Sequence, residues 1–186
     1  MICISIDASS TAWGWSIFDD DDLLDYGKIV PQIDSKIYYE RIIDMIPQLH
    51  MVMKKYKPVK CFIENVPLMG KGGRATLVVL GATQGALLSL CASHGVEINL
   101  IQVSTWRKNI GLFTGKEEDK QRDNMKVHSI EKANELFGLE LNCVFTKSGN
   151  YNGAKSDDDI ADSICLYAST RDKYKVKTFG RKPRIT

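Results

Sequence analysis

Four carboxylates, Asp7, Glu64, Asp159 and Asp162, carry the chemistry that this 186-residue sequence most readily supports. Asp7 closes an apolar run in which Ile2, Ile4 and Ile6 share one face and small residues the other. Glu64 closes the short apolar segment Cys61, Phe62, Ile63. Ligand sites in open α/β sheets gather beyond the carboxyl ends of parallel strands, so two such acids could share a cation there. Taken singly, each also reads as a strand end meeting water.

The other two acids lie in the run from Ser156 to Leu166. Asp157 and Asp158 follow a serine in the first turn, where helix capping and the helix dipole favour acids, and they call for no functional explanation. Asp159 and Asp162 are three residues apart and therefore share a helix face. Around them Ile160, Ala161, Ile164, Cys165 and Leu166 require most of the helix surface to be buried. A carboxylate at the edge of such a surface is costly unless it is paired or binds a metal. After Lys155 no Lys or Arg stands at helical spacing, so a cation is the expected partner. Oxygen donors suit Mg²⁺ or Mn²⁺, hard ions that share their coordination with substrate phosphate. In a two-ion site, with ions roughly 3.5–4 Å apart, one generates the attacking hydroxide and the other stabilises the leaving 3′ oxygen of a phosphodiester.

Several elements must bring these acids together. Residues 2–7, Thr11 to Phe18 and Leu24 to Val30 read as strands, the last two separated by the acidic turn Asp19 to Asp22, which predicts a three-stranded antiparallel meander. Ser35 to Tyr56 has helical spacing at Ile42, Ile43, Ile46, Leu49 and Met53, with Pro47 expected to kink or split it. Cys61 to Ile63 is a short buried strand. Arg74 to His94 is helical, with Gly81, Ala82, Gly85 and Ala86 small enough for close packing on a sheet or a partner helix, and Gly95 stops it. Ile98 to Val103 is a fifth strand, followed by a short amphipathic turn around Trp106 and a polar stretch from Thr114 to Asn124. A helix then spans Met125 to Phe137 before Gly138, residues 146–156 form a loop, and a last helix runs from Asp157 to Arg171. This order predicts an α/β domain over residues 1–170, a mixed five-stranded sheet with three antiparallel strands and then parallel ones, flanked by helices.

At 44% hydrophobic residues the chain can bury one compact core. No apolar run approaches the roughly 20 residues that span a bilayer, and the N-terminus lacks a basic stretch followed by an apolar signal core, so a soluble, cytoplasmic protein is expected. Cys3, Cys61, Cys91, Cys143 and Cys165 are scattered, odd in number and without a CxxC pair, which fits buried thiols in a reducing compartment. His50, His94 and His128 do not add zinc spacing. Residues 171–186 carry seven basic side chains against Asp172 alone, a charge of +6 that leaves −4 on the rest of the chain. That basic C-terminal tail is either a solvated terminus or a phosphate contact.

With these residues in hand, the chain resembles the RuvC-like Holliday junction resolvases of the RNase H-like superfamily, particularly the short phage versions, over nearly its whole length. Ile6-Asp7-Ala8-Ser9 followed by Gly14-Trp15 is similar to the family's first strand, its aspartate and the glycine-tryptophan of the second strand. Phe62-Ile63-Glu64-Asn65 is similar to its strand-terminal glutamate, and Asp159-Ile160-Ala161-Asp162 to its paired C-terminal aspartates. The resemblance implies a Mg²⁺-dependent homodimeric endonuclease acting on branched DNA, in the host cytoplasm if phage-encoded. By it Asp7 would bridge two Mg²⁺ ions, Glu64 would complete one site, and Asp159 with Asp162 the other. It also implies that Lys108 and Lys126 are the basic residues of the active centre, with Lys116, Lys120 and Arg122 as further candidates beside the reading of a solvated polar face. Cellular members carry an aromatic wedge soon after the glutamate, whereas this chain reads Val66-Pro67-Leu68-Met69-Gly70-Lys71-Gly72-Gly73-Arg74. Leu68 or Met69 could insert at the branch point and Lys71 with Arg74 could hold phosphates; a simple glycine turn is the alternative. A symmetric four-way junction calls for two active sites related by a two-fold axis, for which the small-residue helix Arg74 to His94 is the candidate interface.

Other readings remain. The segment 70–73 lacks the G-x-x-x-x-G-K-[ST] arrangement of a phosphate loop. Asp7-Ala8-Ser9-Ser10-Thr11 before a hairpin resembles the first phosphate loop of actin-like ATPases, which need two such domains. An RNase H-type ribonuclease would use the same acids on RNA–DNA hybrids. A branch-binding protein without catalysis would not need the full acid set.

Overall fold

The computed structural model describes residues 1–66, 73–113 and 121–176. Three strands come first, β1 (Ile2–Ala8), β2 (Trp13–Asp19) and β3 (Asp22–Ile29). Helix α1 (Tyr38–Tyr56), strand β4 (Lys60–Asn65), helix α2 (Arg74–Ser93) and strand β5 (Glu97–Gln102) follow. The helices α3 (Val103–Asn109), α4 (Arg122–Phe137) and α5 (Asp158–Ala168) complete the order. The strands form one five-stranded sheet in the order β3-β2-β1-β4-β5. β1, β2 and β3 pair antiparallel, and β4 joins β1 and β5 joins β4 in parallel, as the sequence predicts.

Alternation along the strands decides which helix packs where. Ile4 and Ile6 of β1, with Ile17, Cys61 and Ile63, face the core beneath α1 and α2, where Met45, Leu49, Met53, Leu87 and Cys91 are buried. The opposite face presents Cys3, Ser5 and Asp7 of β1, paired in register with Phe18, Ser16 and Gly14 of β2. Small side chains there let α5 lie close on the sheet. A Cβ added to Gly14 would stand 1.9 Å from the backbone oxygen of Asp159, so only glycine permits the approach. Nearly every residue of α5 is buried in consequence, with Ile164, Cys165, Leu166 and Tyr167 in a core shared with α3 and α4. All five cysteines are free thiols, and Cys3, Cys61, Cys91 and Cys165 are buried as expected, while Cys143 is half-buried.

Several expectations need correction. Pro47 does not split its helix: α1 runs through it, with Pro47 and Ile43 both on the exposed side, where water can take the bond that proline cannot donate. The turn around Trp106 is a helix, α4 begins at Arg122 rather than Met125, and α5 ends at Ala168. By length and composition α2 is long and apolar enough to cross a bilayer, contrary to the sequence reading, yet it seats Thr83, Leu87, Leu90 and Cys91 against the protein. Of its four small residues, Gly81, Ala82 and Gly85 are exposed, while Ala86 packs against the core shared with α1. Residues 171–176 dock on the body: Arg171 pairs with Asp21 at 2.7 Å, and the Val176 amide donates to the Asn109 carbonyl at 2.7 Å.

Candidate active site

The register that orders the sheet also builds the site. Ile6 of β1 pairs with Ile63 of β4, so the next residues, Asp7 and Glu64, emerge side by side on the face that α5 covers. On the other side of Asp7 the register continues through Gly14 to Lys28 of β3. One row across the sheet therefore holds Lys28, Gly14, Asp7 and Glu64. Because Gly14 lets the start of α5 touch β2, Asp159 and Asp162 come down over this row. All four predicted acids line a single cleft of about 750 Å³, together with Lys28, Arg107, Lys126 and Asp158.

Each acid has a distinct environment. The Glu64 Oε2 accepts a hydrogen bond from the indole N–H of Trp106 at 3.0 Å. Asp159 pairs with Lys28 at 3.2 Å, and the same ammonium donates to the Ser156 carbonyl at 2.8 Å. Asp162 lies 3.6 Å from the Arg107 guanidinium, which stacks over the Trp106 ring. Burial holds the Asp7 carboxyl well above the usual carboxylate range, reinforced by repulsion from Glu64, Asp162 and Asp159. Burial also raises Glu64, against the Trp106 bond and the Arg107 charge, and pushes Asp162 up to about 7 against the pull of Arg107.

These acids fit a hard divalent cation. Every donor is an oxygen, and Asp162 Oδ1 is buried with no hydrogen-bond partner among the described residues, which is a costly state for a carboxylate oxygen. Among the described residues, no three His, Cys, Asp or Glu side chains close on one point as a finished cage. Lys28 and Arg107 pair with Asp159 and Asp162 in the cleft.

After Lys155, helical spacing offers Asp159 and Asp162 no Lys or Arg, yet the fold supplies one to each. Lys28 and Arg107 stand far from α5 in sequence and reach it across the fold. Asp157 and Asp158 are not side-chain caps either. Asp157 accepts from the backbone and side-chain amides of Asn142, both at 2.8 Å. Asp158 is 2% exposed, bound to the Lys126 ammonium and to the Tyr151 hydroxyl at 2.8 Å. Of the two expected basic residues, Lys126 lines the cleft through that pairing, while Lys108 is exposed and its neighbour Arg107 lines the cleft instead. Arg74 is exposed at the start of α2. Leu68, Met69, Lys71, Lys116 and Lys120 lie outside the described residues, as does the side chain of Arg122. Sequence reasoning missed Lys28, Trp106 and Arg107. A hairpin register would have placed Lys28 in the row with Asp7, and the aromatic-basic pair directly after β5 was the signal for the other two.

No model of a known protein family matches the chain. Curated relatives do. The crossover junction endodeoxyribonuclease RuvC of Nitratidesulfovibrio vulgaris (Hildenborough) is 30% identical over 122 residues, 63% of this chain and 70% of that protein. That of Lawsonia intracellularis is 28% identical over 111 residues, 58% of this chain and 64% of that protein. Among solved structures, Thermus thermophilus RuvC in complex with a Holliday junction substrate superposes with a TM-score of 0.61 at 14% identity, over 91% of this chain and 96% of that one. A second T. thermophilus RuvC structure gives 0.60 at 14% identity, over 94% and 98%. The mixed sheet with its flanking helices is accordingly the expected RNase H-like fold.

Proposed function

The chain belongs to the RuvC family of crossover junction endodeoxyribonucleases, and we propose that it is a divalent-metal-dependent endonuclease that cuts four-way and other branched DNA. The observation that carries this reading is the convergence of Asp7, Glu64, Asp159 and Asp162 on one cleft from three separate elements. These acids would hold the metal, two Mg²⁺ ions in our reading, with Mn²⁺ as the substitute. Bound there, such ions supply the positive charge that activates water and stabilises the leaving oxygen of a phosphodiester.

The chain's own residues do the rest. Asp7, central in the row, faces both Glu64 and α5, so a ligand held by it is shared by both sides of the cleft. Lys28 and Arg107 offset the acid charge and give an approaching phosphate two cations at the cleft wall. Lys126 is held in place by Asp158 and adds a third. The segment 67–72 with Leu68, Met69 and Lys71, together with Arg74, Lys116, Lys120 and Arg122, is our proposal for the rest of the DNA contact. Residues 1–170 form the nuclease domain and 171–186 the basic tail. A homodimer through the exposed small-residue face of α2 would set two such clefts on one junction. Cytoplasmic DNA is the substrate in this reading.

Incubation of a synthetic four-way junction with the protein and Mg²⁺ tests it. Paired nicks are expected from the parent. Asp7→Asn and Asp162→Asn should lose more than the roughly 10–100-fold that removing an outer partner of a metal ligand costs, while still binding the junction in a gel-shift assay. Cleavage unaffected by both substitutions would overturn the assignment.

A further inference from the structure

Helix α3 brings to the carboxylates a side chain that is not itself an acid. Trp106 is fully buried, and its one hydrogen-bonding group, the indole N–H, points at Glu64 Oε2 at 3.0 Å. A buried indole N–H needs an acceptor, and bonds to an ionised acceptor are the strong ones. The next residue, Arg107, lies over the indole with its guanidinium carbon 4.9 Å from the ring centre, so the ring is fixed by the core on one side and by a cation on the other.

We propose that Trp106 is a positioning residue that aims Glu64 into the cleft. The inference rests on the reading of the acid cluster as a metal site. A glutamate side chain has several freely rotating bonds, and Glu64 stands near the end of β4, beside Asp7 in the row across the sheet. The indole bond anchors Oε2 and leaves Oε1 free of Trp106, so the carboxylate is held by one oxygen while lone pairs remain for a cation. Fixing a ligand before the ion arrives removes the ordering cost from binding. Core filling alone would not need the N–H: a phenylalanine would occupy most of the same volume, and the nitrogen is the part that only the site uses.

The test is Trp106→Phe in the full chain, read without DNA. Calorimetric titration with Mg²⁺ is expected to show affinity weakened about 10-fold or more, the range found when an outer partner of a metal ligand is removed. In the parent, the ¹⁵N-labelled indole resonance of Trp106, assigned by its loss in Trp106→Phe, is expected to move on addition of Mg²⁺ and in Glu64→Gln. The Trp15 indole serves as the internal reference. Mg²⁺ affinity in Trp106→Phe equal to the parent's overturns the positioning role while leaving the nuclease reading intact. A parent that binds neither Mg²⁺ nor Mn²⁺ overturns the metal reading itself, and this inference with it. Should Trp106→Phe fail to fold, a parent in which none of the three indole resonances, of Trp13, Trp15 and Trp106, moves with Mg²⁺ or in Glu64→Gln overturns the proposal.

Discussion

At the scale of single residues, the acids of the cleft act against the stability of the metal-free fold. Burial pushes the Asp162 carboxyl up to about 7 in the folded chain, against about 3.9 for an unfolded aspartate. Between those values the folded state keeps a proton that the unfolded state has lost. Stability from this group is therefore fully present below the unfolded value and is lost as the pH rises through the folded one. Asp7 and Glu64 are raised by burial too and add in the same direction. Thermal melting of the metal-free protein should fall from about pH 5 to about pH 8, and Asp162→Asn should flatten that slope. A melting temperature that rises over this range would contradict the burial argument. Asp159, Lys28 and Arg107 show why the residue scale was only partly legible in the sequence. Asp7 and Glu64 were visible because each ends a recognisable apolar segment, and Asp159 with Asp162 because they share a face of an otherwise apolar helix, but the cationic partners of the latter pair come from β3 and α3, and no helical spacing could reveal them.

At the scale of elements, the decisive contact is α5 on β2. Gly14 sits where a Cβ would meet the Asp159 backbone, so the row that holds Asp7 and Glu64 and the helix that covers it depend on one missing methyl group. Gly14→Ala should lift the start of α5, costing about 1–3 kcal/mol or more in urea unfolding, and should lose Asp162-dependent activity even where the protein remains folded. Unchanged stability and activity would show that the approach is looser than the structure has it. Most elements were readable from periodicity, including all five strands within a few residues. Pro47 misled because proline is tolerated where the freed carbonyl meets water, which a sequence does not state. Asp158 misled because an acid early in a helix looks like a cap, whereas burial beside Lys126 and Tyr151 is a tertiary fact.

For the whole molecule, function turns on assembly and substrate. The outer face of α2, with Gly81 and Gly85 meeting nothing within 4 Å, is the surface through which we place the second copy. Gly85→Arg should leave the fold intact, since arginine is the better helix former, and should halve the mass seen by light scattering. A parent that is already monomeric would remove the dimer. The central claim, that these four carboxylates cut branched DNA, is tested most directly by one side-by-side digestion with Mg²⁺ of a four-way junction, a matched linear duplex and an RNA–DNA hybrid. The account predicts symmetric paired nicks in the junction, with the duplex and the hybrid left intact. An uncut junction beside a degraded hybrid would contradict it and make the same site that of a ribonuclease.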